Sequence, residues 1–305
     1  MIVYLDNNIW NYLVDDACYQ SQHVGELVDA VRDGKLQVLF SPVNLTEINR
    51  CFEHKPEKAR RMVNLSLQLA PRTIVQPSQV VSTQVDNFLA GRPQSVNDLW
   101  TGDTKSFDEV RAGISGNPSY VLPAAFHEQM RVRDSDYVDT LVEMTHMVDA
   151  IVEEASKNGT LAPVPSEPSR GKTDLYGAFN RFPQQRRLFL QEIVKSWCGK
   201  EVELPASVTF ESVPCLAVFL RYHLGFAREL IVAGKAPKSG DMADRDQTLY
   251  FSYADLVVTS DTGEGGLHPN YRDIINQALQ PIGGAAVRFS TFADRLDRAS
   301  GPQHA

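Results

Sequence analysis

The stretch MIVYLDNNIW (residues 1–10) decides the fold, because an apolar run ends in an aspartate and a helical pattern follows. Residues 1–5 are mostly β-branched or aromatic, which predicts a strand that ends at Asp6. Asn7 and Asn8 are turn or cap residues, and IWNYLV then predicts a short helix. A strand followed at once by a helix is typical of an α/β fold.

The alternation of helices and strands continues to about residue 76. Ser41 and Pro42 are a capping residue and a first-turn proline, so a helix is predicted to begin there. Gly34 is predicted to stop the helix before it. The segments predicted here are helices at 23–33, from 41 onward and at 56–69, a strand at 36–40, and a strand or extended piece at 72–77.

The middle of the chain, residues 77–239, has a different pattern. Helical spacing dominates, and the joining stretches are polar and rich in Pro, Gly and Ser. We interpret this region as a helical insertion with at least one flexible loop. The predicted helices lie at 78–90, 134–157, 183–198 and 212–233, and the predicted polar linkers at 91–119 and 161–173.

Alternation resumes after Gly240. LVVTS and AAVRFS predict two more strands, and the predicted helices are 244–254, 269–280 and a closing turn at 291–298. The two flanks, 1–76 and 240–297, therefore predict one discontinuous α/β domain with a central parallel sheet.

Composition excludes several classes of protein. The chain has 305 residues, 43% of them hydrophobic and 22% charged, and a net charge of −8, which argues against indiscriminate binding to nucleic acid. The longest apolar runs are too short to cross a membrane, and a signal peptide is not expected, so we expect a cytoplasmic protein. Four separated cysteines and scattered histidines favour neither a disulfide framework nor a zinc site.

Two aspartates follow predicted strands directly. Asp6 ends the first strand and Asp261 ends LVVTSD. Ligands of an open parallel sheet gather beyond the carboxyl ends of its strands, so these two acids are predicted to meet there. The alternative is that each only caps the helix that follows it.

Other acids fall at the same predicted end of the sheet. Glu47 lies in the helix after the second strand, although a solvated glutamate on a helix surface is common. Asp241 and Asp244 share one helical face, with capping as the alternative for Asp241, and Asp246 is expected to be solvated. Like charges repel, so such a cluster favours a bound cation. Oxygen ligands without His or Cys indicate Mg²⁺ or Mn²⁺, which suit phosphodiester hydrolysis.

These motifs resemble those of the PIN-domain family of ribonucleases, over roughly residues 1–75 and 240–297. VYLDNNIWNYL is similar to the family's first motif, SPVNLTEINRCF to the second, and DRDQTLYFSYADLVVTSD to the third and fourth together. The match assigns Asp6, Glu47, Asp244 and Asp261 as metal ligands and catalytic acids, with Asn8 and Thr259 in support. Asp241 or Asp246 could take the place of Asp244 as a ligand. The expected fold is a PIN-like three-layer α/β fold with a large helical insertion.

The resemblance implies a metal-dependent endoribonuclease that cuts single-stranded RNA. Many such proteins are toxins, so an antitoxin is one expected partner, and a homodimer is another. Two alternatives stay open: a non-catalytic PIN-like module that binds nucleic acid or protein, and a Mg²⁺ phosphatase, which the absent DxD motif disfavours. For substrate, the candidates Arg181, Arg186 and Arg187 lie among aromatic residues, although solvated helix faces explain them equally well.

Overall fold

The structure, a computed structural model, describes most of the two ends of the chain and part of its middle. The described residues are 1–117, 119–121, 123, 176, 183–233, 240–259 and 271–300. The predicted helix at 134–157 and the predicted linker at 161–173 lie outside them. All statements below concern this part of the chain.

Four short strands form one parallel sheet. They are β1 (Ile2–Leu5), β2 (Gln37–Leu39), β3 (Leu256–Val258) and β4 (Ala285–Val287), in the order β2-β1-β3-β4. All three pairings are parallel. The two central strands come from opposite ends of the sequence, which confirms the predicted discontinuous parallel sheet.

The central strands are buried because each has helices and loops packed around it. Val3, Tyr4 and Leu5 have no exposed surface, and neither have Val257 and Val258. Strands buried on both faces have continuous apolar runs instead of alternating ones, and this explains the composition of IVYL and LVV. These strands form the centre of the core.

Eleven α-helices fall within the described residues. They are α1 (Asn7–Leu13), α2 (Val24–Arg32), α3 (Pro42–His54), α4 (Pro56–Leu69), α5 (Pro77–Leu89), α6 (Lys105–Gly116), α7 (Pro183–Cys198), α8 (Pro214–Ala233), α9 (Gly240–Phe251), α10 (Tyr271–Leu279) and α11 (Phe289–Ser300). Short 3₁₀ helices occur at Tyr19–His23, Val96–Trp100, Phe210–Ser212 and Gln280–Ile282. None of the described helices combines the length and the apolar character that a membrane span requires.

The helix boundaries follow local signals in the sequence. Ser41 caps α3 by accepting a bond from the Asn44 amide, and Pro42 occupies the first turn, as predicted. Gly34 follows α2 with φ of 70°, a left-handed conformation that glycine adopts without strain. The final helix is longer than predicted: α11 runs from Phe289 to Ser300 instead of forming one closing turn.

Contacts divide the chain into two compact units. The sheet unit comprises Met1–Val80, Gln94–Leu122 and Tyr250–Ala305, and the helical unit comprises Val81–Pro93 and Pro123–Leu249. These boundaries differ from the predicted ones, because residues 94–122 belong to the sheet unit and residues 240–249 to the helical unit. The predicted insertion had included the first segment and excluded the second.

Of the two alternatives for residues 72–77, a strand or an extended piece, the strand does not form: the Ile74 amide bonds to the Phe40 carbonyl at 2.9 Å and the Val75 amide to the Leu99 carbonyl at 2.9 Å, outside the sheet. Another prediction of local structure was wrong. The predicted linker at 91–119 contains helix α6. Its apolar residues have helical spacing, but the surrounding Gly, Ser and charged residues obscured that pattern.

A buried arginine explains why α6 packs in the sheet unit. Arg111 has no exposed surface and donates to Ala70 O at 2.6 Å, with further bonds to the Ser66 and Thr73 hydroxyls at 3.1 Å each. Its guanidinium lies over the Phe40 ring, 4.4 Å from the centroid. Burial lowers the pKa of Arg111 to about 10, which leaves it charged at neutral pH.

The helical unit has its own buried charges. Arg245 bonds to Asp246, which has no exposed surface, through Nε and Nη2 at 2.9 Å each. Trp197 and Phe219 flank the guanidinium at 5.8 and 5.5 Å from their ring centroids. His223 stacks on Phe219 and is 1% exposed. Burial, together with the smaller effect of the Arg245 charge, lowers the pKa of His223 to about 3.

Candidate functional site at the carboxyl edge of the sheet

The order of the strands places a crevice between β1 and β3. From β1 the chain continues to β2 on one side of the sheet, and from β3 to β4 on the other side. Such a reversal is a topological switch point, where open parallel sheets bind their ligands at the carboxyl ends of the strands. Leu5 pairs with Val258, so the next residues, Asp6 and Thr259, lie side by side at this point.

Asp6 is held across the crevice by a hydrogen bond. The Thr259 hydroxyl donates to Asp6 Oδ2 at 2.8 Å, and the Asn7 amide donates to Oδ1 at 2.7 Å. Asp6 is 1% exposed and Thr259 is fully buried. Bonds donated to an ionised acceptor are stronger than neutral ones, so these two donors orient the carboxylate firmly.

Asp6 also caps the helix that follows it. Its side chain accepts from the first amide of α1, and its carbonyl accepts from the Ile9 amide at 2.9 Å. The capping alternative is therefore correct for one oxygen of Asp6. Capping does not account for the second oxygen, which accepts from Thr259 at the end of another strand. It also does not account for the burial of Asp6, because removing a capping carboxylate from water gains little free energy.

A network of polar side chains supports this edge from the β2 side. Asn44 Nδ2 donates to Asn7 Oδ1 at 2.7 Å and to the Leu5 carbonyl at 3.3 Å. Asn44 Oδ1 accepts from the Ser41 amide and hydroxyl, each at 3.0 Å. The Ser41 hydroxyl also bonds the buried Tyr4 hydroxyl at 2.8 Å. The sequence predictions included none of these contacts.

Glu47 lies on α3 in the same unit as Asp6. Its side chain is 25% exposed, and Arg50 Nη1 donates to its Oε1 at 2.7 Å. Glu47 lies three residues after Asn44, so the two share one face of the helix. Its role as a ligand stays a prediction. Asn8 is half-buried in the first turn of α1, and its supporting role also stays a prediction.

The acids of α9 differ from the expected pattern. Asp244 is half-buried, and its Oδ1 accepts from Nε2 of the Gln247 side chain at 3.4 Å. Asp246, expected to be solvated, is fully buried in an ion pair with Arg245. That expectation was wrong because a buried arginine next to it in the sequence compensates its charge.

Several candidate residues lie outside the described part of the chain. Asp261 and Arg181 are not described, and the side chain of Asp241 is not described either. Arg186 is 7% exposed and donates to the Val208 carbonyl at 2.8 Å, so its guanidinium supports the helical unit from inside. Arg187 pairs with Glu203 at 3.3 Å with a third of its side chain exposed, and its predicted role with substrate stays a prediction.

Asp255 lies at the opposite end of β3. Its exposed carboxylate accepts from the Ile2 amide at 2.7 Å, and its own amide donates to the Ile2 carbonyl at 2.8 Å. These bonds fasten the beginning of β1 to the beginning of β3. Asp255 therefore has a structural role at the amino edge, away from Asp6.

The donors at the carboxyl edge fit a hard cation. Among the described side chains, no three of the His, Cys, Asp and Glu residues lie together as a metal site. Asp6 is nevertheless a suitable ligand, because its carboxylate lies at the switch point of the sheet and is oriented there by Asn7 and Thr259. Oxygen donors of this kind favour Mg²⁺ or Mn²⁺ over zinc.

Arg288 is a residue at this edge that the sequence predictions missed. The Thr259 amide donates to the Val287 carbonyl at 3.0 Å, and Val258 pairs with Val287, so Arg288 lies next to Thr259 along the edge. Arg288 is exposed. Arg288, like Asp6, comes directly after an apolar run, and this position could have identified it. It was missed because the strand AAVRFS was predicted to continue through it, whereas β4 ends at Val287.

Comparisons with known proteins add nothing to this geometry. No family model, curated protein or solved structure matches the chain. The residues at the carboxyl edge and the sequence motifs around them are therefore what indicate a function.

Proposed function

We propose that this chain is a metal-dependent endoribonuclease with a PIN-like fold, acting on single-stranded RNA. The observation that carries the proposal is the Asp6 carboxylate, 1% exposed and bonded to Thr259 at 2.8 Å across the switch point of the sheet. Ligand sites of open parallel sheets occur at this position. The choice of RNA rests on the resemblance of the motifs.

The roles of the residues follow from their chemistry. Asp6 would hold a Mg²⁺ or Mn²⁺ ion, and Glu47 and Asp261, which belong to the same unit of the chain, would be its further ligands. When bound, the cation would acidify a water and neutralise charge that develops on the phosphate. Thr259 and Asn7 keep Asp6 oriented, and exposed Arg288 is suited to contact a phosphate next to the scissile one.

The proposal is tested by cleavage of a labelled single-stranded RNA with Mn²⁺ or Mg²⁺, beside EDTA and single-stranded DNA of the same sequence. We expect metal-dependent cleavage, and Asp6→Asn should lower its rate more than about 100-fold, more than loss of a residue that only supports a ligand. The matched control is Asp255→Asn, which removes a carboxylate from the amino edge of the same sheet. The Asp255→Asn variant should cleave RNA at the rate of the wild type.

A second candidate function is a binding module without catalysis. The bond between Arg50 and Glu47 at 2.7 Å favours it, because that bond already compensates the charge of a predicted ligand. In that case the folded protein binds RNA with no cleavage in either metal, and calorimetry detects no Mn²⁺ binding. That result would contradict the nuclease proposal.

A further inference from the structure

One buried side chain holds the residues on both sides of Asp6. Asn44 is fully buried, and its Nδ2 donates to the carbonyl of Leu5 and to the side chain of Asn7. Leu5 and Asn7 are the immediate neighbours of Asp6 in the sequence. The position of the Asp6 backbone is therefore fixed from both directions.

The orientation of the Asn44 amide is determined by its other contacts. Its Oδ1 accepts from the Ser41 backbone amide at 3.0 Å, and a backbone N–H can only donate. The NH₂ group must then face Leu5 and Asn7, because the oxygen and nitrogen of the amide are on opposite sides. An aspartate at position 44 could not make these two bonds.

Asn44 also joins two elements that carry predicted ligands. It belongs to α3, which bears Glu47 one turn later, and it binds the end of β1, which bears Asp6. A movement of α3 along the sheet would break its bonds to Leu5 and Asn7. The same side chain thus sets the spacing between the helix of Glu47 and the strand end of Asp6.

We propose that Asn44 is the positioning residue of the Asp6 site, clamping the Leu5–Asn7 segment so that the carboxylate is held ready for a cation. This inference rests on the proposed function for the cation, but the clamp itself can be measured without it. Ligands of a metal site must be held within about 0.5 Å, and residues that hold a ligand in this way affect metal affinity about 10–100-fold.

The experiment compares Asn44→Ala, Asn7→Ala and the double variant with the wild type. Asn7 is half-buried at the start of α1, so its variant is expected to fold even if Asn44→Ala is unstable. The matched control is Thr46→Val, which removes a hydroxyl bonded to the Pro42 carbonyl of the same helix. Hydrogen exchange of a peptide covering residues 4–13, Mn²⁺ affinity by calorimetry, and kcat and KM for RNA are measured for each.

We expect both single variants to exchange faster, to bind Mn²⁺ about 10–100-fold more weakly and to lose kcat with KM for RNA unchanged. The double variant should be little worse than the single ones, because both remove the same contact. Thr46→Val should match the wild type. Unchanged exchange and unchanged Mn²⁺ affinity in folded Asn7→Ala would overturn the clamp.

Failure of the proposed function gives a different pattern. If the wild type binds no Mn²⁺ and cuts no RNA, the proposed function is overturned. The hydrogen-exchange measurement alone then tests whether Asn44 clamps the Leu5–Asn7 segment. Faster exchange in the variants would then support the clamp, and unchanged exchange would overturn it.

Discussion

The two buried aspartates, Asp6 in the sheet unit and Asp246 in the helical unit, are held in different ways. Asp6 is bonded by an amide and a hydroxyl, which have no net charge. Asp246 is bonded by the guanidinium of Arg245, itself only 9% exposed. A neutral donor orients a carboxylate without bringing a charge to it, whereas a guanidinium brings a positive charge. The first arrangement suits a site for a cation, and the second suits a structural ion pair.

The largest expected effect is on the ion pair of the helical unit. Asp246→Asn leaves Arg245 buried without a negative partner in this pair, and such a change costs about 3–5 kcal/mol of unfolding free energy. Asp6→Asn should cost less than about 1 kcal/mol, because the asparagine oxygen can accept from Asn7 and its NH₂ can donate to the Thr259 hydroxyl. Urea unfolding of both variants measures the difference. Equal losses would contradict the distinction between the two aspartates.

The next effect concerns the donor to Asp6. Thr259→Val keeps the shape of the side chain but removes the hydroxyl that bonds Oδ2, so we expect cleavage and Mn²⁺ affinity to fall about 10–100-fold. Thr259→Ser should restore most of the activity. The control is Thr248→Val, a buried threonine of the helical unit whose hydroxyl bonds the Arg245 carbonyl at 2.6 Å. If this control loses as much activity as Thr259→Val, the effect is not specific to the Asp6 bond.

The smallest effect is a dependence of stability on pH in the helical unit. The pKa of His223 is about 3 in the folded protein, below its value in the unfolded chain, so the unfolded state takes up the proton first as the pH falls below about 6.5. Stability should therefore decrease by up to about 2 kcal/mol from pH 7.5 to pH 5.

The check is urea unfolding of His223→Phe at both pH values, since phenylalanine keeps an aromatic ring beside Phe219. This variant should lose less free energy of unfolding between pH 7.5 and pH 5 than the wild type does. His54→Gln, which changes an exposed histidine, serves as the control and should lose as much as the wild type. An identical pH dependence in wild type and His223→Phe would show that another group titrates.

The sequence predicted the elements around Asp6 because local signals decide them. The apolar runs of β1 and β3, the Ser41 cap and the left-handed Gly34 each act over a few residues, and each was confirmed. The parallel pairing of the two ends followed from the alternation of helices and strands.

What the sequence could not predict depends on contacts between distant residues. Asn44 is only a polar residue in the first turn of a helix until Leu5 and Asn7 are placed beside it. Arg111 and Asp246 look like surface residues because charged side chains usually are, and only their partners make burial favourable. Helix α6 was missed because its buried face includes Arg111, a charged residue where the helical pattern calls for an apolar one.

The pairing of β1 with β3 has a consequence for synthesis of the chain. The Asp6–Thr259 bond joins residues 253 positions apart, so β1 has no β3 neighbour until residues 256–259 have left the ribosome. Contacts of such long sequence separation form late and slow down folding. An RNA-cutting site built across this pairing would stay incomplete on the nascent chain until both strands have been synthesised, and the ribosome and message would be spared until then.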